Sequence, residues 1–249
     1  MIPTNTSGLR RYMEKDERIA VMQVFSDLCD QAKSVIGSSP YTHTELDFRP
    51  VAEKLSSGEP EDAWENLKVA VAHCGKCKLC STRNHTVFGE GVIHPLVMVV
   101  GEGPGAEEDA SGRPFVGRAG QYLDKWLASI GLSRETNVFI GNIVKCRPPE
   151  NRVPEPDEIA ACIPYVRKQI ELLQPKLLLL SGSTAAHALL ERVEGVGKLR
   201  NQTFDYHGIP TVVTYHPAGV LRNPEYRRPV WEDMKRIAQI LGLPILGKS

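Results

Sequence analysis

Four of the six cysteines in this 249-residue chain fall into two pairs, Cys74-x2-Cys77 and Cys146-x15-Cys162. Thiolates in two separated pairs suit a structural zinc ion or an iron–sulfur cluster, and spacing alone does not choose between them. Cys80 extends the first pair to a CxxCxxC run, while Cys29 reads as a core residue of its own segment. A second set of reactive side chains follows short apolar runs: Glu102 after LVMVVG, Asn142 within NVFIGNIV, and His216 after TVVTY. An acid, an amide and an imidazole brought together would suit a planar, hydrogen-bonding ligand such as a nucleobase. The glycines of GEGPG at 101–105 permit close backbone approach to such a ligand, although a plain strand-to-loop turn would read the same. The run is neither a P-loop, because no Gly-Lys-Ser/Thr follows, nor a GxGxxG fingerprint.

The elements that must position these residues alternate in type. LVMVVGE (96–102), NVFIGNIV (137–144), KLLLLSG (176–182) and TVVTYH (211–216) read as buried strands, the last preceded by a hairpin. Between them AGQYLDKWLASIGL stops at Gly131, and EPDEIAACIPYVRKQIELL has an acidic first turn with Pro164 as a bend point. STAAHALLERV is a helix capped by Ser183 or Thr184, and a last helix surrounds VWEDMKRIAQIL. This alternation predicts an α/β layered domain on a mainly parallel, four-stranded sheet. In such sheets ligands bind beyond the carboxyl ends of the strands, where Gly101-Glu102, Asn142, Gly182 and Tyr215-His216 fall. Residues 1–70 read as a helical extension, with Ile19, Met22, Phe25 and Leu28 on one helical face and a second helix entered at Pro60. Residues 71–249 form the α/β domain.

Thirty basic and thirty acidic residues cancel, so any nucleic-acid contact must come from a local patch. Met1–Arg11 is polar with no apolar run behind it, and no apolar stretch is long enough to span a bilayer. A soluble, intracellular protein without a membrane role is expected, and cysteines in that setting favour metal ligation over disulfides.

Three segments together, Gly101–Gly120 (GEGPGAEEDASGRPFVGRAG), NIVKCRPPENRVP at 142–154 and HPAGVLRNP at 216–224, resemble the family 4, iron–sulfur uracil-DNA glycosylases. The likeness runs from about Cys74 to Leu241. It implies a three-layer α/β/α sandwich of the uracil-DNA glycosylase type and hydrolysis of the N-glycosidic bond of deoxyuridine in DNA. It also implies a [4Fe-4S] cluster on Cys74, Cys77, Cys146 and Cys162, with zinc as the other reading, and leaves Cys80 a free thiol. The resemblance places Phe115 on the face of an extruded uracil, Asn142 on its O4 and N3–H, and His216 on its O2. Without it, Phe115 would be a core residue, Asn142 a strand-end cap and His216 a His-Pro turn residue. Glu102 is the carboxylate for a water nucleophile, since the following Gly103 lacks the aspartate of better-known relatives. Gly101 and Gly103 shape the turn, Glu108 crowds C5 of the base, and Asn151 lies near the site.

Arg152 and Arg222 are expected on DNA, along with Arg113, Arg118, Lys145, Arg147, Arg227 and Arg228. Val220 or Leu221 is expected to enter the base stack. Gly219, and Asn201 after Arg200, depart from the family pattern and bear on DNA grip. The partner implied is uracil-containing DNA, single- or double-stranded, handled by a monomer at the nucleoid of a prokaryotic cytoplasm. The competing reading is an iron–sulfur or zinc nucleic-acid-binding protein without glycosylase activity.

Overall fold

The computed structural model describes residues 60–246. The amphipathic helix expected over 13–37 and Cys29 lie outside the described residues. Four parallel strands form the centre of the fold: β2 (Val97–Gly101), β3 (Val138–Asn142), β4 (Leu177–Ser181) and β6 (Ile209–Thr214). Two antiparallel edges, β1 (Glu90–Gly91) on β3 and β5 (Thr203–Tyr206) on β6, extend the expected four strands to six, in the order β1-β3-β2-β4-β6-β5. The short β1 carries no apolar alternation to announce it. It pairs because Gly91 lacks a side chain, as a Cβ there would lie 2.1 Å from the Val138 carbonyl oxygen. The expected hairpin joins β5 to β6 through His207 and Gly208, both at positive φ, the turn that matches strand twist.

Among the described residues the α-helices are α1 (Pro60–Ala72), α2 (Ala106–Ser111), α3 (Arg118–Ala128), α4 (Pro156–Leu173), α5 (Ser183–Leu190), α6 (Val196–Leu199), α7 (Pro217–Arg222) and α8 (Arg227–Leu241). Alternate strand residues point to opposite faces. Met98, Val100 and Leu180 pack with Val71 of α1, Val166 of α4 and Ala186 of α5. Val97, Val99 and Leu179 pack with Leu123 of α3 and Met234 of α8. The result is a three-layer α/β/α sandwich whose central strands are buried along their length.

Four local expectations change. The boundary at residue 70 falls inside α1, whose Trp64 packs edge-on against Phe88 and Phe139 at 5.0 and 5.5 Å. Helix α4 runs unbroken through Pro164. Gly182, at φ 98°, is the N-cap of α5, without a side-chain cap from Ser183 or Thr184. The HPAGVLR segment is helical, with Pro217 at the first position of α7, where a missing N–H costs nothing.

A buried ion pair closes the layer behind β6. Asp233 of α8 accepts from the Thr214 hydroxyl at 2.7 Å and from Arg200 Nη2 at 2.9 Å. Arg200, at the departure noted before the hairpin, thus serves the interior.

Candidate functional site

The strand registers put four residues in one row at the carboxyl end of the sheet. Asn142 pairs with Gly101, and Ser181 with Thr214, while Gly101 and Ser181 lie one step beyond the Val100–Leu180 pair. Strand order reverses around β2, so this end is a topological switch point and opens into a cavity of about 510 Å³. At its centre Gly101 has no room for a side chain: a Cβ would lie 2.5 Å from both Asn142 Oδ1 and Phe115 Cζ. Asn142 is 1% exposed and Ser181 0%, and Asn142 Oδ1 and Ser181 Oγ are buried without a hydrogen-bond partner. Native interiors rarely leave such groups orphaned unless a ligand or water is meant to meet them.

Phe115 is held from two sides. Its backbone takes φ 51°, an uncommon conformation for a residue with a side chain. The Glu108 carboxylate accepts from Gly105 N at 3.0 Å, Val116 N at 2.9 Å and Gly117 N at 3.1 Å, locking the loop. The buried Arg134 donates to the Pro114 and Phe115 carbonyls, each at 3.0 Å, and is itself paired with Asp124. Gly120 completes the clamp, because a Cβ there would sit 1.8 Å from the Phe115 carbonyl oxygen. Asp109 accepts from Asn84 N and Nδ2, at 2.9 and 2.6 Å, and so ties α2 to the segment after the first cysteines.

His216 faces Phe115 across the cavity, ring centroids 5.6 Å apart. As N-cap of α7 its Nδ1 accepts from Ala218 N at 3.3 Å, so a neutral ring carries its proton on Nε2. Burial, then the nearby Arg222 charge, hold its pKa down at about 4, against a partial opposing pull from Glu108. Gly182 backs the imidazole, with the Cβ position 3.2 Å from His216 Cβ.

Glu102 lines the same cavity and accepts from the Thr184 hydroxyl. Gly103 could not carry an aspartate without moving Val144, whose Cγ2 would be 2.7 Å from a Cβ. Asn151, at φ 55°, lines the cavity while its Oδ1 accepts from Arg147 Nε at 2.8 Å.

The structure therefore gathers Glu102, Gly103, Glu108 and Phe115 with Asn142, Asn151 and His216 around one cavity, and puts Gly101 beneath the Asn142 and Phe115 side chains. Arg152 and Arg222 stand at the same cavity. Several expected contacts fare differently. Both Glu108 oxygens are committed to backbone N–H groups. The Arg152 guanidinium is bidentate to the buried Glu158, and Arg113 to Glu90. Lys145 is no surface contact: it is 2% exposed, and Nζ donates to the Asn142 carbonyl at 3.0 Å and to Gln169 Oε1 at 2.7 Å. Val220 is fully buried in the α3–α8 core, which leaves Leu221, 36% exposed, as the apolar residue free to reach outward. Arg118, Arg222, Arg227 and Arg228 make no ion pair among the described residues. Sequence reading missed Ser181, Thr184 and Arg134, whose roles depend on register and packing rather than on a motif.

The cysteines converge separately. Cys74, Cys77, Cys146 and Cys162 line one small cavity, and Cys80 faces it too. Arg83 Nη1 donates to Cys146 Sγ at 3.1 Å and Lys145 N to Cys162 Sγ at 3.2 Å. Burial pushes the Cys77 and Cys146 thiols up, and Cys162 to about 11. Among the described residues no group of three or more His, Cys, Asp or Glu is arranged around a single metal ion. No helix among them is long and apolar enough to cross a membrane.

The chain is similar in sequence to known proteins. Residues 88–235 match the Uracil DNA glycosylase superfamily. A Type-4 uracil-DNA glycosylase of Sulfurisphaera tokodaii is 42% identical over 74% of this chain and 87% of its own length. That of Saccharolobus solfataricus is 43% identical over 69% and 83%, and that of Thermotoga maritima 42% over 71% and 93%. The chain belongs to the uracil DNA glycosylase superfamily, as a member of its type-4 family.

The loop clamp makes a testable demand. In Glu108→Gln an amide NH2 must face backbone donors, so stability to urea should fall by about 1–3 kcal/mol. Amide exchange at Val116 and Gly117 should rise with it. Unchanged stability and exchange would mean that Glu108 does not hold the loop.

Proposed function

We propose that this protein is a uracil-DNA glycosylase that extrudes uracil from DNA and hydrolyses its N-glycosidic bond, leaving an abasic site for base excision repair. One observation carries the reading: the buried, unpartnered Asn142 oxygen lies beside the Phe115 ring, in a cavity that also holds a neutral histidine. An extruded base stacks on Phe115, and the strand pays the cost of unstacking. Asn142 Oδ1 accepts from uracil N3–H while its Nδ2 donates to O4. Cytosine presents the reverse pattern, which would leave both buried groups facing like partners.

Water adds to C1′ as the C1′–N1 bond breaks; one of its two protons passes to solvent, leaving the C1′ hydroxyl, and the departed base later takes up a proton from solvent. The electron pair departs on the base as uracilate. Negative charge then grows on O2, where the neutral His216 donates from Nε2, a preorganised dipole aimed at the developing charge. Glu102, anchored by Thr184, orients the water. No second carboxylate fits at Gly103, so leaving-group stabilisation supplies more of the rate than base catalysis does. Glu108 serves by fixing the Phe115 loop. Arg222 and Arg118, without an ion pair among the described residues, offer charge for phosphates, and Leu221 fills the space in the stack.

A [4Fe-4S] cluster on Cys74, Cys77, Cys146 and Cys162 suits the second cavity. These four cysteines would hold the cluster, which would supply a rigid cross-link of the surrounding segments, and they do not gather around one ion as a zinc site would. The buried thiols, reluctant to ionise alone, would need such a cationic partner, and the Arg83 and Lys145 N–H groups already donate to Cys146 Sγ and Cys162 Sγ. When bound, the cluster would cross-link the segment after α1 to the loop after β3 and the start of α4. Because one chain holds the whole cavity, a monomer suffices, acting at the nucleoid of a prokaryotic cytoplasm on single- or double-stranded DNA. A binding protein without activity is not favoured, given relatives that are named glycosylases.

Incubation with a uracil-containing oligonucleotide, then alkali, should cleave at uracil and spare cytosine. Asn142→Asp should lower uracil excision by at least ~10²-fold, because it replaces the donor to O4 with an acceptor. An inert wild-type protein with intact cofactor would overturn the assignment. Anaerobically purified protein should be brown, with about four iron and four sulfide per chain. Zinc in their place would establish the other reading of the cysteines.

A further inference from the structure

Ser181 is a fully buried polar residue at the cavity that the mechanism above leaves unused. It ends the apolar run of β4, with its side chain fully buried, its Oγ without a partner, and the cavity beside it. Its neighbours in the row make that isolation informative. Thr214, next across the sheet, is equally buried, yet its hydroxyl donates to Asp233 at 2.7 Å. Gly101, on the other side, has no side chain to offer a partner. Asn142, the next in the row, carries the other orphaned atom. A hydroxyl removed from water without a partner destabilises the protein that holds it. Two such atoms flanking the Gly101 gap, on the floor of one cavity, mark the positions where a ligand's polar edge belongs.

We propose that the Ser181 hydroxyl is a substrate-contacting group that donates to O2 of the extruded pyrimidine, alongside His216. This rests on the uracil-excision reading. A carbonyl oxygen has two lone pairs and accepts two donors at once. With Asn142 on the N3–H and O4 side, O2 is the remaining acceptor on that edge of the ring. His216 backs onto Gly182, the residue after Ser181, so both donors reach the cavity from the carboxyl end of β4 and the strand beside it. Paired donors at O2 would form a small anion hole for uracilate, in which Ser181 contributes without any proton transfer.

The test uses the whole protein loaded with its cofactor, and compares Ser181→Ala with wild type. Removing an orphaned buried hydroxyl should leave the melting temperature unchanged or raise it, whereas Thr214→Ala, which breaks a made bond, should lower it. Affinity for free uracil, read as product inhibition, should fall about 10- to 100-fold in Ser181→Ala, with single-turnover excision falling similarly. The penalty for 2-thiouracil relative to uracil should shrink in the variant, because sulfur is a poor acceptor for a donor already removed. Unchanged uracil affinity would overturn the proposal, and so would a slower rate at unchanged affinity, which would put Ser181 on the water. Wild-type protein inactive on uracil would instead defeat the glycosylase reading itself.

Discussion

A missing side chain at the end of the central strand sets the geometry of everything around it. At Gly101 the space that a Cβ would take is occupied from one side by the Asn142 amide and from the other by the Phe115 ring. That arrangement holds the Asn142 amide and the Phe115 ring close together at the end of the central strand. It holds only if both neighbours stay put. Asn142 is fixed at its carbonyl by the buried Lys145, and Lys145 by Gln169, whose Nε2 donates to the Phe88 carbonyl at 2.9 Å. Phe115 is fixed by Glu108, Arg134 and Gly120. The positions of both side chains thus rest in part on interior residues that do not line the cavity.

The same packing sets the electrostatics. His216 is kept neutral by burial and by the Arg222 charge, and its orientation is fixed by the Ala218 N–H. A neutral ring gives a directed donor with no net charge to be neutralised by DNA phosphates. The cost lies in folding. The unfolded chain takes up a proton at about pH 6.5 that the folded protein refuses until about pH 4. Stability from this group is therefore complete above pH 6.5 and is lost as pH falls through that window.

Much of the site was legible because parallel sheets concentrate ligand contacts at their carboxyl ends. Reading off the strand ends named Glu102, Asn142 and His216 without any structure, and the paired cysteines announced their own cavity. What escaped notice depended on partners distant in sequence. Lys145 and Arg152 look like surface cations, and only packing reveals that one is buried and the other is tied to Glu158. Ser181 looks like the polar end of a leucine run until the register sets it beside Gly101. Glu108 resembles a pocket carboxylate, yet its oxygens are spent on the α2 capping box and the Phe115 loop. The short β1 and the helical α7 lack the periodicity that identifies longer elements.

The central claim is that a neutral, Nε2-protonated His216 donates to the departing base. Nitrogen-15 NMR of the imidazole, in ligand-free protein titrated from pH 8 downward, tests that protonation state. The ring should be neutral with its proton on Nε2, gaining a second proton only near pH 4. An imidazolium at neutral pH, or a proton on Nδ1, would contradict it.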